Sequence, residues 1–154
     1  EYKMVLVLAG GKSAIEATYK VIEGMGIKES VIIKHKIPYK ELLHLYETAS
    51  GLIVPLDPDF EQDEARFSQK IAEYLSSGSP IVSNNVGEVK HYFTNRENIV
   101  LDEYTSDGFF NSFSWIADNP EEAVNIGLIG YKLGKQTFDY RICAKQLVDF
   151  FNKI

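Results

Sequence analysis

Arg66, Lys70 and Glu73 stand at i, i+4 and i+7 in the stretch ARFSQKIAEYLSSGSPIVS. Read as a helix from Arg66 to Ser77, this spacing lines two bases and one acid along one side. Phe67, Ile71, Tyr74 and Leu75 form the side that packs on a core. The chemistry open to such a stripe is anion binding, because a helix start already offers unpaired N–H groups and the positive end of its dipole. The same spacing also fits an internal salt-bridge ladder, since Lys70 and Glu73 are three residues apart, as in ordinary pairs on solvated faces.

The elements that position this stripe decide between the two. Short, nearly continuous apolar runs recur at MVLVLA, SVIIK, GLIVPL, PIVSN and NIVL, the pattern of strands covered on both faces. Helical patterns separate them: AIEATYKVIEGMG ending on glycines, PYKELLHLYETAS starting with a proline, the stretch above, and VGEVKHYF. Strands alternating with helices predict an α/β fold, a doubly wound parallel sheet of about five strands with right-handed crossovers. Three C-terminal helices follow, one around DGFFNSFSWIAD, one from Pro120 and one from about Asp139 to Lys153. Asn119, Pro120 and Glu122 supply a cap, a first-turn proline and an acid for the second of these. Gly127, Gly130 and Gly134 share one face of it, which predicts close packing against a neighbour. In open α/β sheets ligands bind at the carboxyl ends of the strands. The predicted helix starts there, so Arg66, Lys70 and the N–H groups of Phe67, Ser68 and Gln69 are expected to form an anion site.

Other candidates are weaker. LAGGKS after the first strand lacks the spacing of a triphosphate-binding loop, which needs a glycine where Leu6 stands, and of a dinucleotide fingerprint, which needs one at Lys12. What survives is close approach of a ligand to the backbone at Gly10 and Gly11. DPDFEQDE holds five acids in eight residues, but Gln62 and Ser68 occupy the glycine and glutamate positions of a calcium loop, so a solvated, mobile acidic loop is expected. A phosphoacceptor domain would need paired acids where Ala9, Gly10 and Gly11 stand. His35, His44 and His91 show no metal-ligand spacing, and no metal site is expected.

The chain of 154 residues is 45% hydrophobic and 25% charged, the composition of one ordinary domain with a core. Its formal charge of −6 argues against nucleic acid as a partner, because backbone phosphates demand a dense basic footprint. A single cysteine excludes an internal disulfide and favours a reducing compartment, the cytoplasm, and the helical pattern around Cys143 predicts a small core residue. No apolar run reaches the length of a membrane span. The chain opens almost directly in a strand, from which a piece of a longer protein is expected.

VLVLAGG, KHKIPYKELLHLYETASGLIVPL, IAEYLSSGSPIVSNNVGEV, ENIVL and the closing NPEEAVNIGLIGYKLGKQTFDYRICAKQLVDFF follow one another in an order that resembles the C-terminal, donor-binding domain of GT-B glycosyltransferases of family four, group 1 type. The resemblance covers almost the whole chain, and AEYLSSGSPIVS is its most specific segment. It implies a Rossmann-like domain, one half of a GT-B fold, in a retaining, metal-independent enzyme. The enzyme would move a sugar from a nucleotide-diphosphate donor to a glycan or lipid-linked acceptor, with no cofactor beyond that donor substrate. Glu73 takes the place of the family's ribose-binding glutamate. The amides of Phe67, Ser68 and Gln69 take the diphosphate with Lys70 and Arg66, and Lys36 and Ile37 lie where the base is recognised.

Two departures stand out. The family's first glutamate, which contacts the donor sugar, falls on Ala65, with Glu64 one residue off register. A preceding strand and helix and the N-terminal acceptor domain lie outside these residues, so the fragment alone is expected to be inactive. The full-length enzyme is expected to associate peripherally with the cytoplasmic membrane face. Three readings compete with this one. The chain could be a noncatalytic nucleotide or sugar-phosphate-binding module, a flavodoxin-like interaction domain whose Arg66, Lys70 and Glu73 pair only with one another, or half of a sugar-nucleotide epimerase.

Overall fold

The computed structural model describes residues 2–153 and divides into two compact units, Glu1–Leu43 and His44–Ile154. In the first unit β1 (Met4–Leu8) and β2 (Val31–His35) pair in parallel, Met4 opposite Val31 through Leu8 opposite His35. The crossover between them is α1 (Lys12–Gly24), which ends beside Gly26 at φ +69°, followed by a single 3-10 turn at Lys28–Ser30. α2 (Tyr39–Thr48) begins directly after Pro38, as its sequence predicts.

The second unit holds β3 (Leu52–Ile53), β4 (Ile81–Ser83) and β5 (Val100–Leu101), all parallel, in the order β3-β4-β5. α3 (Glu61–Ala65) and α4 (Gln69–Leu75) lie between β3 and β4, and α5 (Val89–Tyr92) lies between β4 and β5. α6 (Ser106–Asp118), α7 (Pro120–Thr137) and α8 (Tyr140–Phe151) follow. All five predicted strands and the three C-terminal helices are present, with every strand parallel to its neighbours.

Successive strand residues point to opposite faces of a sheet, and the core of the second unit follows that alternation. Ile81 and Ile99 join Val54, Leu56, Ile71, Leu75 and Val89 in one cluster, whereas Val82 and Val100 join Ile116, Ala123 and Ile126 in another. β4, buried along its whole length, is thereby covered on both sides. The glycine face of α7 packs as predicted. A Cβ on Gly127 would lie 2.2 Å from the Gly78 carbonyl oxygen, one on Gly130 2.6 Å from that of Asn98, and one on Gly134 3.0 Å from Leu75 Cβ.

Several expectations are corrected. In the first unit β1 and β2 are not covered on both faces: Val5, Val7 and Ile32 are exposed while Leu6, Leu8 and Ile33 are half-buried, so one face of the ladder stays open. Asn119 makes no side-chain cap for α7. Its Nδ2 donates instead to the Trp115 carbonyl at 2.8 Å and closes the end of α6. Cys143 is exposed, because α8 has no buried residue. No helix among the described residues is long and apolar enough to cross a membrane.

Candidate functional site

The carboxyl ends of the strands in the second unit carry the predicted anion stripe, but with a different backbone. The helix begins at Gln69, not Arg66, and Arg66 is extended at φ −134°, ψ 156°. A distant residue packs against this segment. Gly87, at φ +57°, sits against the carbonyls of Asp63, Glu64 and Arg66, the first of which would lie 2.4 Å from any Cβ placed there. The missing side chain at Gly87 lets this segment pack so closely. α4 is two turns long, and its side chains at Lys70 and Glu73 are exposed.

The acidic loop is a built structure with the short helix α3 at its end. Asp63 is buried; its Oδ2 accepts the Asp57 N–H at 3.0 Å and its Oδ1 accepts from Arg66 Nη2 at 3.0 Å. The hydrogen bond from the Asp57 N–H, reinforced by the Arg66 guanidinium, holds the Asp63 carboxyl below the usual carboxylate range. Glu64 accepts the Gly87 N–H through Oε2, and its Oε1 lies 3.7 Å from Lys90 Nζ. Buried Asn84 completes the clamp: its Oδ1 accepts the Leu56 N–H at 2.8 Å and its Nδ2 donates to the Leu56 carbonyl at 2.7 Å, so a side chain extends the β3–β4 ladder past the strand ends. The loops after β3 and β4 are therefore tied together by the side chains of Glu64 and Asn84, while Asp63 braces the first of them.

This clamp settles the ladder question. Arg66 pairs with Asp63, and Lys70 and Glu73 make no ion pair with any described residue. The backbone N–H groups of Phe67, Ser68, Gln69 and Lys70 likewise have no hydrogen-bond partner among the described residues. Donors without acceptors beside a free ammonium are what an anion would require.

The other predicted residues belong to the first unit, where the structure brings them together. Gly11 is the residue before α1, and its carbonyl accepts from Ala14 and Ile15. His35 Nε2 lies 3.3 Å from the Gly10 carbonyl, a bond that puts the ring proton on Nε2. Lys36 donates its N–H to the Leu8 carbonyl and holds φ +51°, an uncommon conformation for a side-chain-bearing residue, while Ile37 is half-buried. The turns at Gly10–Gly11 and Lys36–Ile37 thus adjoin at the carboxyl ends of β1 and β2. His35, which ties them, was read from the sequence only as lacking a metal partner. Among the described residues no group of three His, Cys, Asp or Glu side chains could hold a metal ion.

Residues 1–133 match the family model described as glycosyl transferases group 1. The chain belongs to that family. Comparison with curated proteins gives no match. Solved structures give the fold of this glycosyltransferase family member: sucrose-phosphate synthase from Thermosynechococcus elongatus is 16% identical with a TM-score of 0.83 over 98% of the chain and 38% of its own. HepE of Anabaena in complex with UDP-glucose is 15% identical, TM-score 0.79, over 99% of this chain and 41% of that one. A glycosyltransferase from Rickettsia africae is 11% identical, TM-score 0.82, over 99% and 40%. The chain thus spans about two fifths of the length of these GT-B enzymes.

Proposed function

We propose that these residues are the donor-binding half of a retaining glycosyltransferase. It would transfer a hexose from a nucleotide-diphosphate sugar to a glycan or lipid-linked acceptor held by chain outside this sequence. The observation that carries the reading is the group 1 family match over residues 1–133. Two others support it: the partnerless amides at Phe67–Lys70, and the UDP-glucose in the HepE structure of like fold.

Glu73 is assigned the ribose hydroxyls, for which an unpaired carboxylate is a strong acceptor. Phe67, Ser68 and Gln69 offer N–H groups, and Lys70 its ammonium, to the diphosphate. Their work grows as the bond to the anomeric carbon breaks and charge collects on the leaving phosphate, which preorganised donors stabilise without reorganising. Arg66 keeps donors beyond the one given to Asp63 and adds to the same field. Within the first unit, Lys36 and Ile37 are assigned base recognition beside Gly10 and Gly11. No metal or other cofactor enters this scheme.

The test is ligand-observed NMR of this chain with UDP, GDP, ADP, CMP and their sugar conjugates, with Glu73→Ala as control. Saturation transfer to the base and ribose of one nucleotide, lost in the variant, is the expected result. Silence across the panel at millimolar ligand would overturn the donor-site assignment. Sugar transfer needs donor and acceptor held together, so these residues alone are expected to give no turnover; transfer at a complete enzyme's rate would refute the half-enzyme reading.

A further inference from the structure

A cleft opens in the His44–Ile154 unit where β4 and β5 end. It measures about 590 Å³, and its polar lining is Asn85, Lys90, Thr94, Asn95, Asp102 and Glu103. None of these is assigned to the donor above. Phe93 and Leu101 supply the apolar part of the wall.

The polar groups fall into two sets. One is fixed by the fold: Asp102 accepts the Glu103 N–H at Oδ1 and the hydroxyl of buried Ser112 at Oδ2, and its own N–H bonds the Ser83 carbonyl. Asn95 Oδ1 accepts the Leu101 N–H at 2.8 Å, and Asn98 Oδ1 accepts the Thr94 N–H at 3.0 Å. Gly108 packs against the Glu103 backbone, where a Cβ would lie 2.4 Å from the carbonyl oxygen. The other set has no partner among the described residues: the Asn85 amide, the Thr94 hydroxyl, Asn95 Nδ2 and the Glu103 carboxylate. These are two amides, a hydroxyl and one strong acceptor, on a backbone held in place.

Charge selects the ligand. The cleft's one cation, Lys90, already faces Glu64 at 3.7 Å, and two carboxylates stand in the lining, so a phosphate is repelled. The lining offers only two carboxylates, and among the described residues no group of three His, Cys, Asp or Glu side chains could hold a metal ion. Paired donors and acceptors beside an apolar wall match vicinal hydroxyls on an apolar ring. We propose that this cleft binds an uncharged sugar ring, with Glu103 and the amides of Asn85 and Asn95 holding its hydroxyl groups. This site is separate in its residues from the nucleotide subsites and does not rest on them.

The test is a titration of the uniformly 15N-labelled chain with methyl glucoside, followed by backbone and Asn side-chain amide signals. Shifts are expected in the NH2 signals of Asn85 and Asn95 and in the backbone amides of Thr94 and Glu103, with millimolar affinity. Glu103→Ala should weaken binding about tenfold, the loss of one hydrogen bond to a charged group. Both Glu103 and Asn85 are exposed and partnerless, so Glu103→Ala and Asn85→Ala leave the fold intact. No shift in the cleft, an unchanged affinity in both variants, or equal shifts from pyrophosphate would overturn the proposal. UDP-glucose separates two sources of the sugar: cleft shifts that require the nucleotide identify the donor's ring, and shifts from methyl glucoside alone identify an acceptor's. Loss of nucleotide binding with the glycoside shifts intact would defeat the donor assignment and leave the cleft standing.

Discussion

Lys70 and Glu73 share a face of α4 and do not meet. An ammonium and a carboxylate left apart at this spacing forgo a small surface attraction, worth about 0.3–0.5 kcal/mol for a helix pair, and keep both groups free for a ligand. In the complete enzyme Lys70→Ala is expected to lower kcat on the order of 100-fold, as loss of one charge-stabilising donor does, with a smaller change in donor KM. Steady-state kinetics check this, and a rise in KM at constant kcat would make Lys70 a ground-state contact only. Asn84 is the residue on which the clamp depends. Asn84→Ala leaves the buried N–H and carbonyl of Leu56 unpaired and is expected to destabilise the fold by about 1–3 kcal/mol, read by urea denaturation.

A third residue gives a pH signature. Asp139 receives the side-chain donors of Arg141 first and its backbone N–H second, and its pKa falls from 3.8 to about 2. The folded state binds this proton less tightly than the unfolded chain. The stability it contributes is therefore complete above the ordinary carboxylate value and is lost as pH falls toward about 2. Asp139→Asn should flatten the acid limb of the stability curve in that window; an unchanged slope would assign the limb to other carboxylates. The shared, exposed face of Lys70 and Glu73 was legible in the sequence because helical spacing decides which side chains stand together. Asn84 and Glu64 were not, because each acts by bonding a backbone group more than twenty positions away.

Elements were read well wherever local pattern decides them. The run of Val, Ile and Leu marks each strand, and Asp139 starts α8 with a side-chain oxygen that accepts the Arg141 N–H. α4 is the instructive miss. Its apolar spacing continues back to Phe67, so periodicity extends the helix to Arg66, yet α3 ends at Ala65, Arg66 is extended, and α4 starts only at Gln69. The acidic loop failed for a related reason: acids that read as solvated are the acceptors that Asp57, Arg66 and Gly87 need. The glycine face of α7 shows the same tertiary demand in a form that sequence does reveal, since glycine without a tertiary reason only weakens a helix. Gly127→Ala would drive a methyl group into the Gly78 backbone, where no flexible side chain can yield. A loss of about 1–3 kcal/mol is expected from such overpacking, and calorimetry showing an unchanged melting point would refute the contact.

At the scale of the whole molecule the two units are unlike in how they exclude water. In Glu1–Leu43, Ile22 is the one buried residue among those described, and Val5, Val7 and Ile32 are exposed on the ladder. In His44–Ile154, Ile71, Ile99, Val82 and Val100 are fully buried in two clusters on opposite faces of the sheet. Burial of apolar area is the main favourable term in folding, and amide exchange reports the free energy of the opening that exposes each N–H. The ladder amides of β3 and β4, such as Leu52 and Val54, which bond Pro80 and Val82, should exchange only with global unfolding. Those of β1 and β2 should exchange through local opening, orders of magnitude faster. Equal protection across the chain would mean that the first unit's exposed strands are stabilised by something other than their own core. Faster exchange in β1 and β2 that slows on adding the bound nucleotide would show that the turns at Gly10 and Lys36 take up ligand. A site on a weakly buried ladder must draw part of its order from what it binds.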